Sequence, residues 1–140
     1  MAQRGCEVSI DFEGRVAVLH LLSAATIQCI MQAATELAGD PAWDPEFNVI
    51  IIIDDAPALE TFTLEGLKEL QAFMRDWNAT NRTGARPLTA IVCPDDLKRV
   101  IAELWAAMND TVSWRVEIGI FVTRAQAERW LQNPPPLPDR

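Results

Sequence analysis

The sequence predicts an α/β protein with a largely parallel β-sheet, because short apolar runs alternate four times with amphipathic segments of helical length. This alternation is typical of βα units joined by right-handed crossovers. Two strand-like runs separated by a short turn precede these units, which predicts an N-terminal β-hairpin. The expected architecture has about five strands and four helices in one domain, residues 1–132, followed by a proline-rich extended tail at 133–140.

The predicted hairpin joins the runs Cys6–Ile10 and Val16–Leu22 through Asp11–Gly14, in which Gly14 is expected to supply the turn. The second run is apolar on both faces apart from His20. A strand of this kind is expected inside a sheet, with a neighbour on either side. Val16, Val18 and His20 share one of its faces, whereas Ala17, Leu19 and Leu21 share the other.

Hydrophobic periodicity and capping residues predict the order of the remaining elements. The predicted helices are Ile27 to Leu37, capped by Ser23 or Thr26, then Leu64 to Trp77, Leu97 to Met108, and a short last helix capped by Thr123. The predicted strands between them are Phe47–Ile53, Pro87–Cys93 and Trp114–Val122. A loop in which Trp43 folds over the core precedes the first of these strands, and a polar turn at Asn78–Arg86 follows the second helix. The third strand is β-branched from Val49 onward, so it is expected to be central and buried on both faces. The apolar stripes of the second and third helices, which include Leu64 and Val100, are expected to face the core. Arg115, Glu117 and Gly119 alternate with apolar residues in the last strand, which predicts a wetter face or edge there.

Composition and charge exclude several classes of function. Hydrophobic residues make up 49% of the chain and charged residues 23%, as in globular proteins. The longest apolar run, Val49–Ile53, is far shorter than the roughly 20 residues that span a bilayer, and a charge interrupts the N-terminus before any signal-like stretch forms. A cytoplasmic protein that does not span the membrane is therefore expected. The net charge of −8 leaves no basic face for nucleic acid or for an anionic membrane surface.

The three cysteines, Cys6, Cys29 and Cys93, are odd in number, widely spaced and free of any Cys-x-x-Cys pair. All three stand in apolar sequence surroundings, where a thiol behaves as a small hydrophobic group. They are predicted to be buried structural thiols, and a reactive or redox role is the alternative.

The sequence contains no catalytic motif, and neither a cofactor nor a metal is predicted. Asp54 and Asp55 follow the central strand, where open α/β sheets bind ligands, and adjacent carboxylates can hold Mg²⁺. No phosphate-binding loop follows them, so they are expected to end the strand and hydrogen-bond in the loop. His20 is the single histidine, so a zinc site or a catalytic triad lacks partners.

Aromatic and methionine side chains raise a second hypothesis, an apolar ligand pocket between the helices. Its predicted lining is Met31, Trp77, Trp105, Met108 and Trp114. Ordinary core packing is the competing explanation, since large aromatic residues are expected wherever helices cover a sheet.

Two segments, Arg86–Val92 and Ile120–Leu131, together with the order of elements over about residues 7–131, resemble the SpoIIAA-like branch of the STAS fold. The nearest resemblance is to small bacterial proteins described as STAS-like or CRAL-TRIO-like, most of them of unknown function. The resemblance implies a SpoIIAA-like α/β fold. It also implies a non-enzymatic protein-interaction or regulatory module.

One element of that family is missing from the chain. Anti-sigma-factor antagonists of the family carry Asp-Ser-Ser-Gly-Leu at the start of the second helix, and a serine there is phosphorylated. The matching stretch here is Thr63-Leu-Glu-Gly-Leu67, so both serines are replaced. Glu65 offers a permanent negative charge at this place, although a glutamate in the first turn of a helix is also ordinary, and a phosphoserine switch is not expected.

The leading hypothesis is therefore an unidentified protein partner that binds around the start of the second helix. The predicted partner-binding residues are Asp54, Asp55, Thr61, Thr63 and Glu65. The alternative is a small apolar or lipid-like ligand in the pocket between the helices. A homodimer that pairs its last strands edge to edge is permitted by the pattern.

Overall fold

The computed structural model describes residues 5–11, 13–22, 25–53, 63–82, 87–96, 99–100, 103 and 116–136. The strands in these ranges are β1 (Cys6–Asp11), β2 (Val16–Leu21), β3 (Asn48–Ile53), β4 (Leu88–Val92) and β5 (Glu117–Phe121), and the complete helices are α1 (Ile27–Ala38), α2 (Leu64–Asn81) and α3 (Arg124–Gln132). Helical residues also occur at Asp96, Arg99, Val100 and Glu103, at the place of the predicted helix after β4. The rest of that helix and the start of the last predicted strand lie outside the described residues.

The five strands form one mixed sheet in the order β1-β2-β3-β4-β5. β1 pairs with β2 in antiparallel fashion, and each later pair of neighbours is parallel. The predicted hairpin, the interior position of β2 and the central position of β3 are thereby confirmed. The α/β class follows as expected from the alternation of strands and helices.

Helices pack on both faces of the sheet. Leu19, Leu21 and Ile91 face α1 and α2 on one side. The alternate residues Val18 and Ile50 point to the other side, where α3 places Ala127 against them. The predicted division of the β2 side chains between two faces is therefore confirmed, because successive side chains of a strand point to opposite faces.

The hairpin turn departs from its predicted mechanism. Arg15, with φ of 55°, is the residue with left-handed backbone in the described chain, and Gly14 does not adopt a positive φ. A Cβ atom at Gly14 would instead lie 2.6 Å from a carboxylate oxygen of Asp11, so a larger residue there has to displace the exposed Asp11 side chain. Asp11 Oδ1 accepts a hydrogen bond from the Gly14 amide at 3.0 Å, which closes the turn.

Helix α2 is one turn longer than predicted. The segment expected as a polar turn from Asn78 continues in helical conformation to Asn81. The Asn78 side chain is buried against the sheet, and the Asn81 side chain donates to the Trp77 carbonyl at 3.0 Å. Tertiary burial has outweighed the weak helix propensity of these residues.

Strand β5 is an edge strand, and all five of its residues are half-buried. The sequence predicts a solvent-exposed face or edge for this strand, and the structure favours the edge, which is the side without a neighbouring strand. The face that carries Gly119 and Phe121 is covered by α3. Thr123 caps α3 as predicted, in a capping box with Gln126.

Gly119 is expected to resist substitution because its neighbours leave no space. A Cβ atom there would lie 2.8 Å from the Phe121 ring and 3.3 Å from Trp130. The two rings pack together with centroids 5.4 Å apart, so Phe121 moves only by displacing Trp130. We expect Gly119→Ala to lower the free energy of unfolding by about 1 kcal/mol, measured by urea denaturation.

Gly39→Ala is the matched control for that substitution. A Cβ atom at Gly39 would meet only backbone atoms, the nearest at 3.6 Å, and its φ of −87° suits any residue. Its unfolding free energy should stay within about 0.5 kcal/mol of the wild type. Equal losses for the two variants would contradict the steric explanation for Gly119.

Candidate functional site

The carboxyl ends of β2, β3, β4 and β5 meet at one edge of the sheet, because these strands are parallel. We call this end of the sheet the carboxyl edge. Each complete helix begins at this edge behind a threonine N-cap. Thr26 accepts from the amide of Cys29 at 3.1 Å, Thr63 from that of Gly66 at 3.0 Å and Thr123 from that of Gln126 at 3.2 Å. These caps fix the first turns of the helices and thereby the shape of the edge.

Thr63 and Glu65, two of the predicted partner-binding residues, are exposed at this edge. The Thr63 hydroxyl caps α2, and Glu65 lies in the first turn, where a negative charge faces the positive end of the helix dipole. Asp54, Asp55 and Thr61 lie outside the described residues.

Three large apolar side chains are exposed in the described chain, and all three follow the carboxyl end of a parallel strand. Leu64 is the first residue of α2 and is 57% exposed. Val100, in the helical residues after β4, is 60% exposed, and Val122, directly after β5, is 44% exposed. Leu64 and Val100 were expected to face the core, and this expectation is wrong. Each residue belongs to the apolar stripe of its helix by periodicity. In the described chain, however, no other element covers either stripe near the start of its helix.

The turn that follows β4 is braced by Arg99. Its guanidinium donates to the Cys93 carbonyl at 3.1 Å and pairs with the Asp96 carboxylate. The Cys93 thiol is buried, as predicted, and donates to the Asp95 carbonyl at 3.6 Å. The helical residues that carry Val100 are thus tied to the end of the strand.

The predicted apolar pocket is only partly within the described residues. Trp77 is buried between α1 and α2, where its indole N–H donates to the Ala34 carbonyl at 2.8 Å and its ring packs on Trp43 at 5.5 Å. Met31 is half-buried in a different group of core side chains, around Leu21. The other predicted members, Trp105, Met108 and Trp114, lie outside the described residues.

A cavity of about 30 Å³ lies beside Trp77. That volume matches one water molecule and is far below the few hundred cubic ångströms that hold a small-molecule ligand. It therefore lends no support to the hypothesis of a lipid-like ligand.

A buried arginine lines the same cavity and was not foreseen from the sequence. Arg82 is 6% exposed, and its guanidinium donates to Thr89 Oγ1 at 2.6 Å and to the Leu88 carbonyl at 2.7 Å. Burial lowers the pKa of Arg82 to about 10, so the side chain stays charged at neutral pH. Its Nε and the buried Asn78 Oδ1 have no hydrogen-bond partner in the structure. No sequence signal marks Arg82, because it ends a helix among polar residues.

His20 is half-buried on the face of β2 that it shares with Val16 and Val18, as predicted. Among the residues that the structure describes, no group of three or more histidine, cysteine or acidic side chains is placed to hold a metal ion. The helices of the described ranges are all too short or too polar to cross a membrane.

The fold defines the chain as an α/β protein with a five-stranded mixed sheet. No family model, curated protein or solved structure matches it.

Proposed function

We propose that this chain is a STAS-like domain that acts by binding another protein at its carboxyl edge. The observation that carries the proposal is that Leu64, Val100 and Val122, the exposed large apolar side chains of the described chain, each follow the carboxyl end of a parallel strand. Single exposed apolar residues are ordinary on protein surfaces, whereas a group at one place is typical of interaction sites.

Charge at the same edge favours a basic partner. Exposed acidic side chains in the described chain include Glu65, Asp95 and Asp96. The sequence adds Asp54 and Asp55 in the connection from β3 to α2, and the whole chain carries a net charge of −8. Exposed apolar side chains together with an excess of carboxylates suit a partner that places lysine or arginine around an apolar patch.

The capped helix starts favour binding because they are ordered before the partner arrives. Leu64 and Glu65 stand in the first turn of α2, which the Thr63 hydroxyl holds through the Gly66 amide. Side chains on a preformed helical turn lose less conformational freedom on binding than side chains on a mobile loop.

A double substitution at the start of α2 tests the proposal. Leu64→Ser with Glu65→Lys removes the exposed apolar group and reverses the charge beside it, without touching the core. We expect affinity capture from a lysate of the source cells to retain a protein on the wild type that this variant binds at least about tenfold more weakly. Raising the salt concentration should weaken the same complex.

Glu13→Lys is the matched control, because it reverses one exposed charge in the hairpin turn at the opposite edge of the sheet. The control should retain the captured protein. Hydrogen exchange of the complex should then show protection at residues 63–67. Capture that is equal for all three chains, or protection confined to other residues, would overturn the proposal.

A further inference from the structure

Two cysteines that are far apart in the sequence meet at the surface of the fold. Cys6 begins β1 and Cys29 lies in the first turn of α1, and their sulfur atoms are 2.8 Å apart. Both residues are half-buried, and only Cys93 is buried, so the prediction of three buried thiols is wrong for this pair. A disulfide bond is about 2.05 Å long, so the two sulfurs lie within about 1 Å of bonding distance.

Small molecules in solution can reach the pair. The two thiols line an open pocket of about 360 Å³ between β1 and α1, which Gly5, Gln32 and Glu36 also line. Asp40 stands at the same pocket. The two carboxylates disfavour anionic oxidants such as glutathione disulfide and leave small uncharged oxidants as the favoured reactants.

The surroundings of the two sulfurs assign them different roles. Burial, followed by the hydrogen bond and the charge of Cys29, holds the pKa of Cys6 well above its usual range. Either sulfur can be the donor in this contact, and the raised pKa keeps the Cys6 thiol protonated at neutral pH. Cys29 lies in the first turn of α1, where the helix dipole favours a negative charge.

We propose that Cys6 and Cys29 are a redox pair that hydrogen peroxide converts into a reversible disulfide. Cys29 loses its proton to solvent and the thiolate attacks one peroxide oxygen, so that the O–O bond breaks and a sulfenic acid forms on Cys29. The leaving hydroxide takes up a proton and becomes the first water. The Cys6 sulfur then attacks the Cys29 sulfur, the S–O bond breaks and water leaves with the Cys6 proton. Two thiols lose two electrons in total, and one peroxide becomes two waters. A dithiol reductant restores the thiols by exchange.

The disulfide would tie an edge strand to the helix that begins at the carboxyl edge. Among the strands of the described ranges, β1 pairs with β2 alone, because it is the first strand in the sheet order. A cross-link between residues 6 and 29 restricts the unfolded chain. It is therefore expected to raise the Tm of the oxidised protein by roughly 10 °C over that of the reduced protein.

The test treats the reduced full chain with hydrogen peroxide and then maps its thiols by mass spectrometry. We expect the intact mass to fall by two hydrogen atoms, a peptide that links Cys6 to Cys29, an alkylatable Cys93, and recovery of the starting mass with dithiothreitol. This measurement on the wild type needs no variant to fold. Three alkylatable thiols after treatment, a link that includes Cys93, or a link between two chains would overturn the proposal.

Substitutions give an independent test of the assigned roles. Cys6→Ser should stop the reaction at a sulfenic acid on Cys29, which dimedone labels, whereas Cys93→Ala should form the disulfide as the wild type does. The matching variant Cys29→Ser leaves Cys6 as the thiol that dimedone can label after oxidation. If Cys6 in this variant is labelled as strongly as Cys29 is in Cys6→Ser, the assignment of Cys29 as the attacking sulfur is contradicted.

Discussion

Replacing Trp77 by alanine is expected to lower the free energy of unfolding by about 4 kcal/mol, the largest loss that we expect from one substitution in the described chain. The Trp77 ring fills the space between α1 and α2 against Ala17, Ala34 and Leu37. Its indole N–H also satisfies the Ala34 carbonyl at 2.8 Å. Alanine removes both the buried aromatic surface and this link between the two helices.

The hydrogen bond can be separated from the packing with two Trp→Phe variants. Trp43 and Trp77 are in contact, but the buried Trp43 indole N–H has no hydrogen-bond partner in the structure. Trp77→Phe should therefore cost about 1 kcal/mol more than Trp43→Phe, because only the first breaks a hydrogen bond.

Urea unfolding followed by circular dichroism at neutral pH measures these differences as shifts of the denaturation midpoint at an unchanged m value. Circular dichroism is preferred to fluorescence because both substitutions remove a tryptophan. Equal losses for the two Trp→Phe variants would contradict a stabilising role for the Trp77 hydrogen bond.

Arg82→Ala is expected to lower the free energy of unfolding by about 3 kcal/mol. The substitution leaves the Leu88 carbonyl and the Thr89 hydroxyl without their donors and enlarges the cavity under α2. Arg82→Met also removes both donors and the buried cation, but its side chain fills the space of the arginine stem, so we expect its loss to be only about 1 kcal/mol. Denaturation of both variants at pH 7 measures the difference.

The pH dependence distinguishes the charge of Arg82 from its shape. Because burial lowers the pKa of Arg82 to about 10, the folded state releases this proton at a lower pH than the unfolded state does. Below pH 10 both states are protonated and the cost of burial is present in full. Above pH 10 the unfolded state binds more protons, so the wild type should gain stability relative to Arg82→Met as the pH rises. A stability difference that stays constant to pH 11 would contradict this account.

Much of the architecture could be predicted from local patterns. β3 is recognisable because a run of β-branched residues buried on both faces suits only an interior strand. α3 is recognisable because Thr123 and Gln126 have the spacing of a capping box and Ala127 begins its buried side. These patterns depend on neighbours within a few residues, which the sequence displays directly.

The candidate site was predictable only in its general location. The start of α2 was expected to bind a partner on the resemblance to the STAS family, and Thr63 and Glu65 are exposed there. The exposed apolar side chains of the site could not be predicted from the sequence. An apolar stripe shows which residues share a helix face, but it does not show how far the neighbouring element extends over that face. Leu64 and Val100 lie where that cover ends in the described chain.

The sequence by itself determined the α/β class, the N-terminal hairpin, the interior strands and the Thr123 cap, because periodicity and capping are properties of short segments. Only the tertiary structure decided that the Cys6 and Cys29 sulfurs lie 2.8 Å apart and that Arg82 is buried under α2. Both facts depend on which distant segments the sheet brings together. The physical reason is that the pairing of β1 with β2 and the packing of helices on the sheet bury large apolar surfaces. That burial dominates folding, so it also fixes the positions of individual thiols and charged side chains.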